Sequence, residues 1–376
     1  MPRSGQYDKP LRGSCVRRPR ALAVTALVFA AAAALPLVPS VAAETISSPV
    51  PAVSPAQSTA TTLARMASNT SFVDCVRRPT TAPLPPPLRK QAAAATVPSL
   101  PRTATPCDAG QIAQPRGVVA DNQAPLGPEG GAPSTTSSPR SSPQGEQAGV
   151  GVCDARPVGE LQYYYAGAYQ DIVSEGTQAY LDQPQPCLAT SDLHSMAQIA
   201  VHSADKRQTV QMGWTVDRLL SGDTVPHLFV HHWVDGQPTC YNGCGYVQVS
   251  STRRPGMPLS VTSTPQEYSI LSYQGNWWIG YQSEWIGYFP GSLWNNTFST
   301  TGVVQWFGEV QASTSQPCTD MGTGEPATAT SGGQISNISY FGTATAPAII
   351  VRPAGPYYGA SSAGPTAIRY GGPGAC

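Results

Sequence analysis

Charge is scarce in this chain: 12 % of its 376 residues are charged, and 22 Lys+Arg balance 22 Asp+Glu to a formal net charge of zero. That balance leaves no electrostatic footprint for nucleic acid or for an acidic membrane surface, so neither is expected as a partner. Long helices are disfavoured as well, because 38 Pro and 36 Gly punctuate the sequence. No Gly-rich phosphate loop, no G-x-S-x-G elbow and no H-E-x-x-H pair occurs. Those absences remove the usual signatures of nucleotide binding, of the α/β-hydrolases and of zinc proteases, and no cofactor or metal is expected. Large apolar side chains are unevenly spread: residues 44–150 contain 17 Pro and no Trp, whereas all seven Trp lie between Trp214 and Trp306. A core must offset the entropy of ordering the chain, so the packed domain is expected in the second half.

The N-terminus reads as an address. Arg17, Arg18 and Arg20 precede the apolar run Ala21 to Val38, and Val41, Ala42 and Ala43 supply small residues for cleavage after Ala43. Residues 1–43 are therefore expected to be a cleavable secretory signal, and the mature protein to be extracellular without a stable membrane partner. A retained anchor is the alternative, since about 18 apolar residues approach a bilayer span. Export fits the cysteines, of which eight lie beyond the signal, an even number that favours disulfides. Cys240 and Cys244 bracket Tyr-Asn-Gly and suit a tight staple, and Cys318 with Cys376 would tie the tail to the body, among 105 formal pairings. A zinc site from Cys240, Cys244 and nearby His is the lesser reading in a secreted chain.

Residues 44–155, rich in Pro, Ser, Thr and Ala with Pro85-Pro86-Pro87 at one point, read as a low-complexity, largely disordered linker or pro-segment. Only Ser71 to Arg78 and Cys107 hint at local order there. Residues 156–376 change texture to short β-branched and aromatic runs such as HSMAQIAVHS, QTVQMGWTVD, HLFVHHWVDG and GVVQWFGEVQ, separated by turn signals. Several alternate apolar with polar, the period of a half-buried strand, so the expected fold is all-β, an antiparallel β-sandwich. His227, His231 and His232 are close in sequence, but His231 and His232 point to opposite faces of a strand, which argues for structural or surface roles over a ligand set. Carboxylates are few, which makes Glu309 in VVQWFGEV conspicuous: alternation puts it on the face of Phe307, opposite Gly308 and Val310. A carboxylate among aromatics is costly without partners and is a candidate acid or base. Glu284 in YQSEWIGYFP has a similar claim in a more turn-like setting.

With those residues in view, the segment from about Tyr163 to Glu309 and the tail 357–376 resemble the neprosin family of secreted glutamic prolyl endopeptidases. The matching stretches are YYYAGAYQ, QTVQMGWTVD, PTCYNGCGYVQV, GNWWIGY, IGYFPGSLW, VQWFGEV and the closing GGPG, in the family's order. The resemblance implies a β-sandwich that hydrolyses peptide bonds on the carboxyl side of proline in a peptide or protein substrate, with water held between two glutamates. It implies too a removable N-terminal region, hence a zymogen, and a monomer is expected. Glu309 falls on the second family glutamate, whereas the first is represented by Gln211 in VQMGW. Cys240 and Cys244 match the family's small disulfide loop, and Trp214, Trp277, Trp278, Tyr281 and Trp306 are expected to wall the cleft. In that reading Glu309 activates water and Gln211 donates to the oxyanion. The alternative is a pseudoenzyme, in which the amide has retired the cleft to binding a peptide or glycan.

Overall fold

The computed structural model describes residues 73–77, 83–86, 107, 111–115, 118–119, 162–190 and 192–376. All of them lie in one compact unit, Ser71–Cys376. The expected signal, residues 1–43, falls outside the described residues.

In chain order the strands are β1 (Val73–Arg77), β2 (Gln111–Pro115), β3 (Val118–Val119), β4 (Gln162–Asp171), β5 (Gly176–Gln183), β6 (His194–His202) and β7 (Thr209–Asp217). A one-turn helix, α1 (Arg218–Ser221), leads to β8 (His227–Val234), β9 (Gln237–Pro238), β10 (Cys240–Tyr241), β11 (Val247–Gln248), β12 (Thr262–Tyr273) and β13 (Asn276–Tyr281). Then come β14 (Glu284–Pro290), β15 (Val303–Ala312), β16 (Gly333–Phe341), β17 (Ile350–Val351), β18 (Gly359–Gly364) and β19 (Ala367–Gly371). Among the described residues no helix is long and apolar enough to cross a membrane.

Two large sheets carry the fold. The front sheet runs β17-β4-β15-β6-β7-β8-β9 and the back sheet β11-β14-β13-β12-β5-β16-β19-β18, with antiparallel neighbours throughout. This is the antiparallel β-sandwich read from the alternating strands. Period-two alternation divides each front strand between the two faces. Val304, Trp306 and Val310 of β15, Ile199 and Val201 of β6, and Val210, Met212 and Trp214 of β7 join the main core cluster. From the back sheet Trp277, Ile279, Tyr281, Tyr268 and Tyr370 enter the same cluster. The front residues between them, with Glu309, turn to the front sheet's outer face.

This alternation corrects the expected cleft walls. Trp306 is three residues from Glu309, and Trp214 three from Gln211, so each faces the interior opposite its neighbour. Trp277 and Tyr281 belong to the other sheet and point into the same core, and Trp278 lies in a separate cluster with Val249, Leu271 and Trp285. All five expected wall residues are at most 1 % exposed and are packing residues.

Ahead of the sandwich, β1 pairs with β2, and Cys75 is bonded to Cys107 in the connection. β3 pairs with β10, placing Val119 opposite Cys240 and Val118 opposite Tyr241. The Cys240–Cys244 and Cys318–Cys376 disulfides are both present, and Cys187 is disulfide-bonded too. Glu284 begins β14 in an ion pair with Arg253 at 3.2 Å and a hydrogen bond from Ser250, a structural setting.

Candidate active site

The register of the front sheet builds the outer face row by row. Tyr165, Glu309, Met196, Thr215 and His227 stand side by side across β4, β15, β6, β7 and β8. The next row is Gly167, Phe307, Gln198, Gly213 and Phe229, and on the other side lie Tyr163, Gln311, His194 and Asp217. Glu309 is thus directly opposite Met196, with His194 and Gln198 as its two diagonal neighbours on β6. Long side chains span that diagonal.

Both carboxylate oxygens of Glu309 are engaged. His194 Nε2 lies 3.1 Å from Oε1, and Gln198 Nε2 donates to Oε2 at 3.0 Å. The site is shut away from solvent: Glu309 is 4 % exposed, Gln198 2 % and His194 1 %. A buried carboxylate is costly without hydrogen-bond partners, and this clamp places one at each oxygen. Behind His194, its Nδ1 lies 4.0 Å from Asp217 Oδ2, while Asp217 Oδ1 accepts from the Leu220 backbone N–H at 3.0 Å. Aspartate here caps the first turn of α1 and faces the imidazole at once.

Several polar atoms on this face have no hydrogen-bond partner, among them Gln198 Oε1, Thr215 Oγ1 and the Tyr165 hydroxyl. Burial, and then the neighbouring Glu309 charge, push the Tyr165 phenol well above its ordinary range, so it stays a protonated donor. The amide nitrogen of Gln198 also approaches Met196 Sδ at 3.4 Å, a weak acceptor that it can exchange for a better one. Met196, Phe229 and Tyr241 form an apolar cluster of their own, and Phe307 meets Tyr165 edge-on with ring centroids 5.9 Å apart. Among the described residues no group of three His, Cys, Asp or Glu is placed to hold a metal.

Gln211 is not brought to Glu309. It lies on β7 opposite Ala200 and His231, two strands from β15 and four residues along from Thr215 in the Glu309 row. At about 3.3 Å per residue that is about 13 Å along the strand alone. Its Oε1 accepts instead from Trp233 Nε1 at 3.1 Å and pairs with His231 Nδ1 at 3.1 Å. Burial, and then the charge on His232, hold the His231 imidazole down at about 3, so it is neutral and donates through Nδ1. The amide beside Glu309 is Gln198, which sequence reasoning missed. The available signal was its alternation with His194 and Met196 in HSMAQIAVHS.

The neprosin family model matches residues 191–373. Residues 191–373 belong to the neprosin family. The neprosin match takes in β6 through β19, and with them Glu309, Gln198, His194, Gln211 and the tail. Tyr165, on β4, lies ahead of the matched neprosin segment. Among solved structures, the chain is similar to scytalido-glutamic peptidase, crystallised with a peptide-based transition state analog, at 8 % identity and TM-score 0.34, covering 57 % of this chain and 99 % of that one. It is similar also to SCP-B, a member of the eqolisin family of peptidases in complex with the tripeptide Ala-Ile-His, at 9 % identity and TM-score 0.32 with the same coverages.

Proposed function

We propose that this protein is a glutamic-type endopeptidase in which Glu309 activates water and Gln198, in place of Gln211, steadies the oxyanion. The observation that carries the reading is the buried Glu309 carboxylate clamped by a side-chain amide on the outer face of the front sheet. Glu309 takes a proton from water as the water oxygen bonds to the scissile carbonyl carbon. The carbonyl oxygen becomes an oxyanion that accepts from the Gln198 amide and the Tyr165 hydroxyl. On collapse the C=O re-forms, the C–N bond breaks, and Glu309 passes its proton to the leaving nitrogen. The products are a carboxylic acid and an amine, with one water consumed.

Cleavage after proline is part of the proposal: the resemblance supports it, and the apolar cluster of Met196, Phe229 and Tyr241 beside the Glu309 row suits a pyrrolidine ring. Secretion is likewise proposed, and disulfides are compatible with it. The solvent exclusion of Glu309, with β3 laid against Tyr241 whose ring sits 4.7 Å from that of His231, supports a zymogen whose N-terminal segment must leave.

The test is to place a specific protease site between residues 120 and 155 and assay the chain before and after cutting on a proline-rich peptide. Cleavage after proline is expected only after cutting. It is lost in Glu309→Gln and falls about 10²- to 10³-fold in kcat in Gln198→Ala, the effect of one oxyanion donor. A cut chain that binds the peptide without cleaving it would make this a binding protein.

A further inference from the structure

Besides the Gln198 amide, His194 on β6 and Tyr165 on β4 face Glu309. His194 is 1 % exposed, and both its ring nitrogens look at carboxylates: Nε2 at Glu309 Oε1, 3.1 Å away, and Nδ1 at Asp217 Oδ2, 4.0 Å away. The ring therefore stands between two acids, with its Nε2 side within hydrogen-bond distance of Glu309 and its Nδ1 side facing Asp217. Asp217 is itself anchored, because its other oxygen holds the start of α1. Gln311, between His194 and Tyr163 in the same row, donates its amide to the Tyr163 hydroxyl and leaves the imidazole to the two acids.

We propose that His194 is a positioning residue for Glu309, steered by Asp217, so that one carboxylate oxygen is occupied by the imidazole and the other is left to Gln198 and the reacting water. This rests on the peptidase reading for its kinetic consequence but not for the pairing itself. The chain Asp217, His194, Glu309, Gln198 then runs from the cap of α1 to the reacting atoms across three strands. Nothing in a bare Glu/Gln pair requires it.

Two substitutions separate the donors. In His194→Gln the amide nitrogen reaches the place of Nε2, and in His194→Asn only that of Nδ1. In the cut chain kcat should fall about a hundredfold in His194→Asn, the cost of a carboxylate displaced by about 1 Å, with KM unchanged. His194→Gln should recover most of it at a similar Tm. Equal kcat in both variants and the parent would overturn the proposal. A second readout does not depend on turnover: in the full chain the His194 Nε2 proton should give a downfield NMR resonance that disappears in Glu309→Gln and persists in Gln198→Ala. A silent enzyme with that pattern keeps the pairing while the peptidase reading fails. A resonance indifferent to Glu309→Gln removes the pairing whatever the activity.

Discussion

Among the glutamines of the front sheet, Gln198 and Gln211 share the outer face at positions that alternation alone cannot rank, and their partners separate them. Gln198 donates to Glu309, whereas Gln211 receives two buried donors, His231 Nδ1 and Trp233 Nε1, on one oxygen. Those two bonds tie β7 to β8. Gln211→Leu should leave both donors unpaired, at about 1–3 kcal/mol each, and lower Tm while kcat of the folded enzyme holds. Thermal melts beside single-turnover assays check this, and a loss of kcat at unchanged Tm would return the oxyanion role to Gln211. The face of Glu309 was legible in WFGEV because period two is a local property of one strand. Its partner was not, since the choice of neighbouring strand is made by β6 and β15 pairing across more than a hundred residues, and resemblance pointed one strand too far.

At the scale of elements, β15 holds the site because it is central: β4 and β6 flank it, and all ten of its residues are buried. The back sheet reaches it through Gly308. A Cβ there would stand 2.4 Å from Tyr370 Cδ2 and 2.9 Å from Met321 Sδ, so Tyr370 of β19 occupies the room a side chain would need. Gly308→Ala must push β15 or Tyr370 aside, costing about 1–3 kcal/mol as other overpacked cores do, and must move Glu309 with it. A drop in both Tm and kcat is expected, with kcat restored when Tyr370→Leu is added; unchanged kcat in Gly308→Ala would show that β15 absorbs the strain without moving its carboxylate. Strand texture announced the sandwich, and the Cys318–Cys376 bond that ties the tail to the body was one expectation among 105 formal pairings. The aromatic walls were misplaced because large side chains in a two-sheet fold are claimed first by the core, and only the residues between them, Phe307 and Phe229 for instance, reach the outer face.

Among the described residues, acid acts on four buried groups in opposite senses. Burial raises Asp182 to about 7, so the folded state holds its proton more tightly than the unfolded chain does, and this group stabilises the fold as pH falls from about 7 toward 4. Burial lowers His202 and His232 to about 4 and His231 to about 3, below the ordinary 6.5. Their contribution is present above the ordinary value and is lost as pH falls from 6.5 through 4 and 3, because the unfolded chain then binds protons that the fold refuses. Three losses of about 3 kcal/mol or more apiece outweigh one gain of similar size. Tm should therefore be highest near neutrality and fall steeply below about pH 6. His202 accounts for one share of that slope: its Nδ1 meets Thr209 Oγ1 at 2.9 Å and its Nε2 meets Gln305 Oε1 at 3.1 Å, a neutral ring with both sides filled. His202→Gln removes the titrating group, so its Tm should decline less than the parent's between pH 6.5 and 4, read by calorimetry at matched salt. Identical slopes would mean that His202 charges without opening the fold. An acid limit on turnover that comes from melting of the sheet moves in His202→Gln, whereas one set by the chemistry stays where it is in the parent.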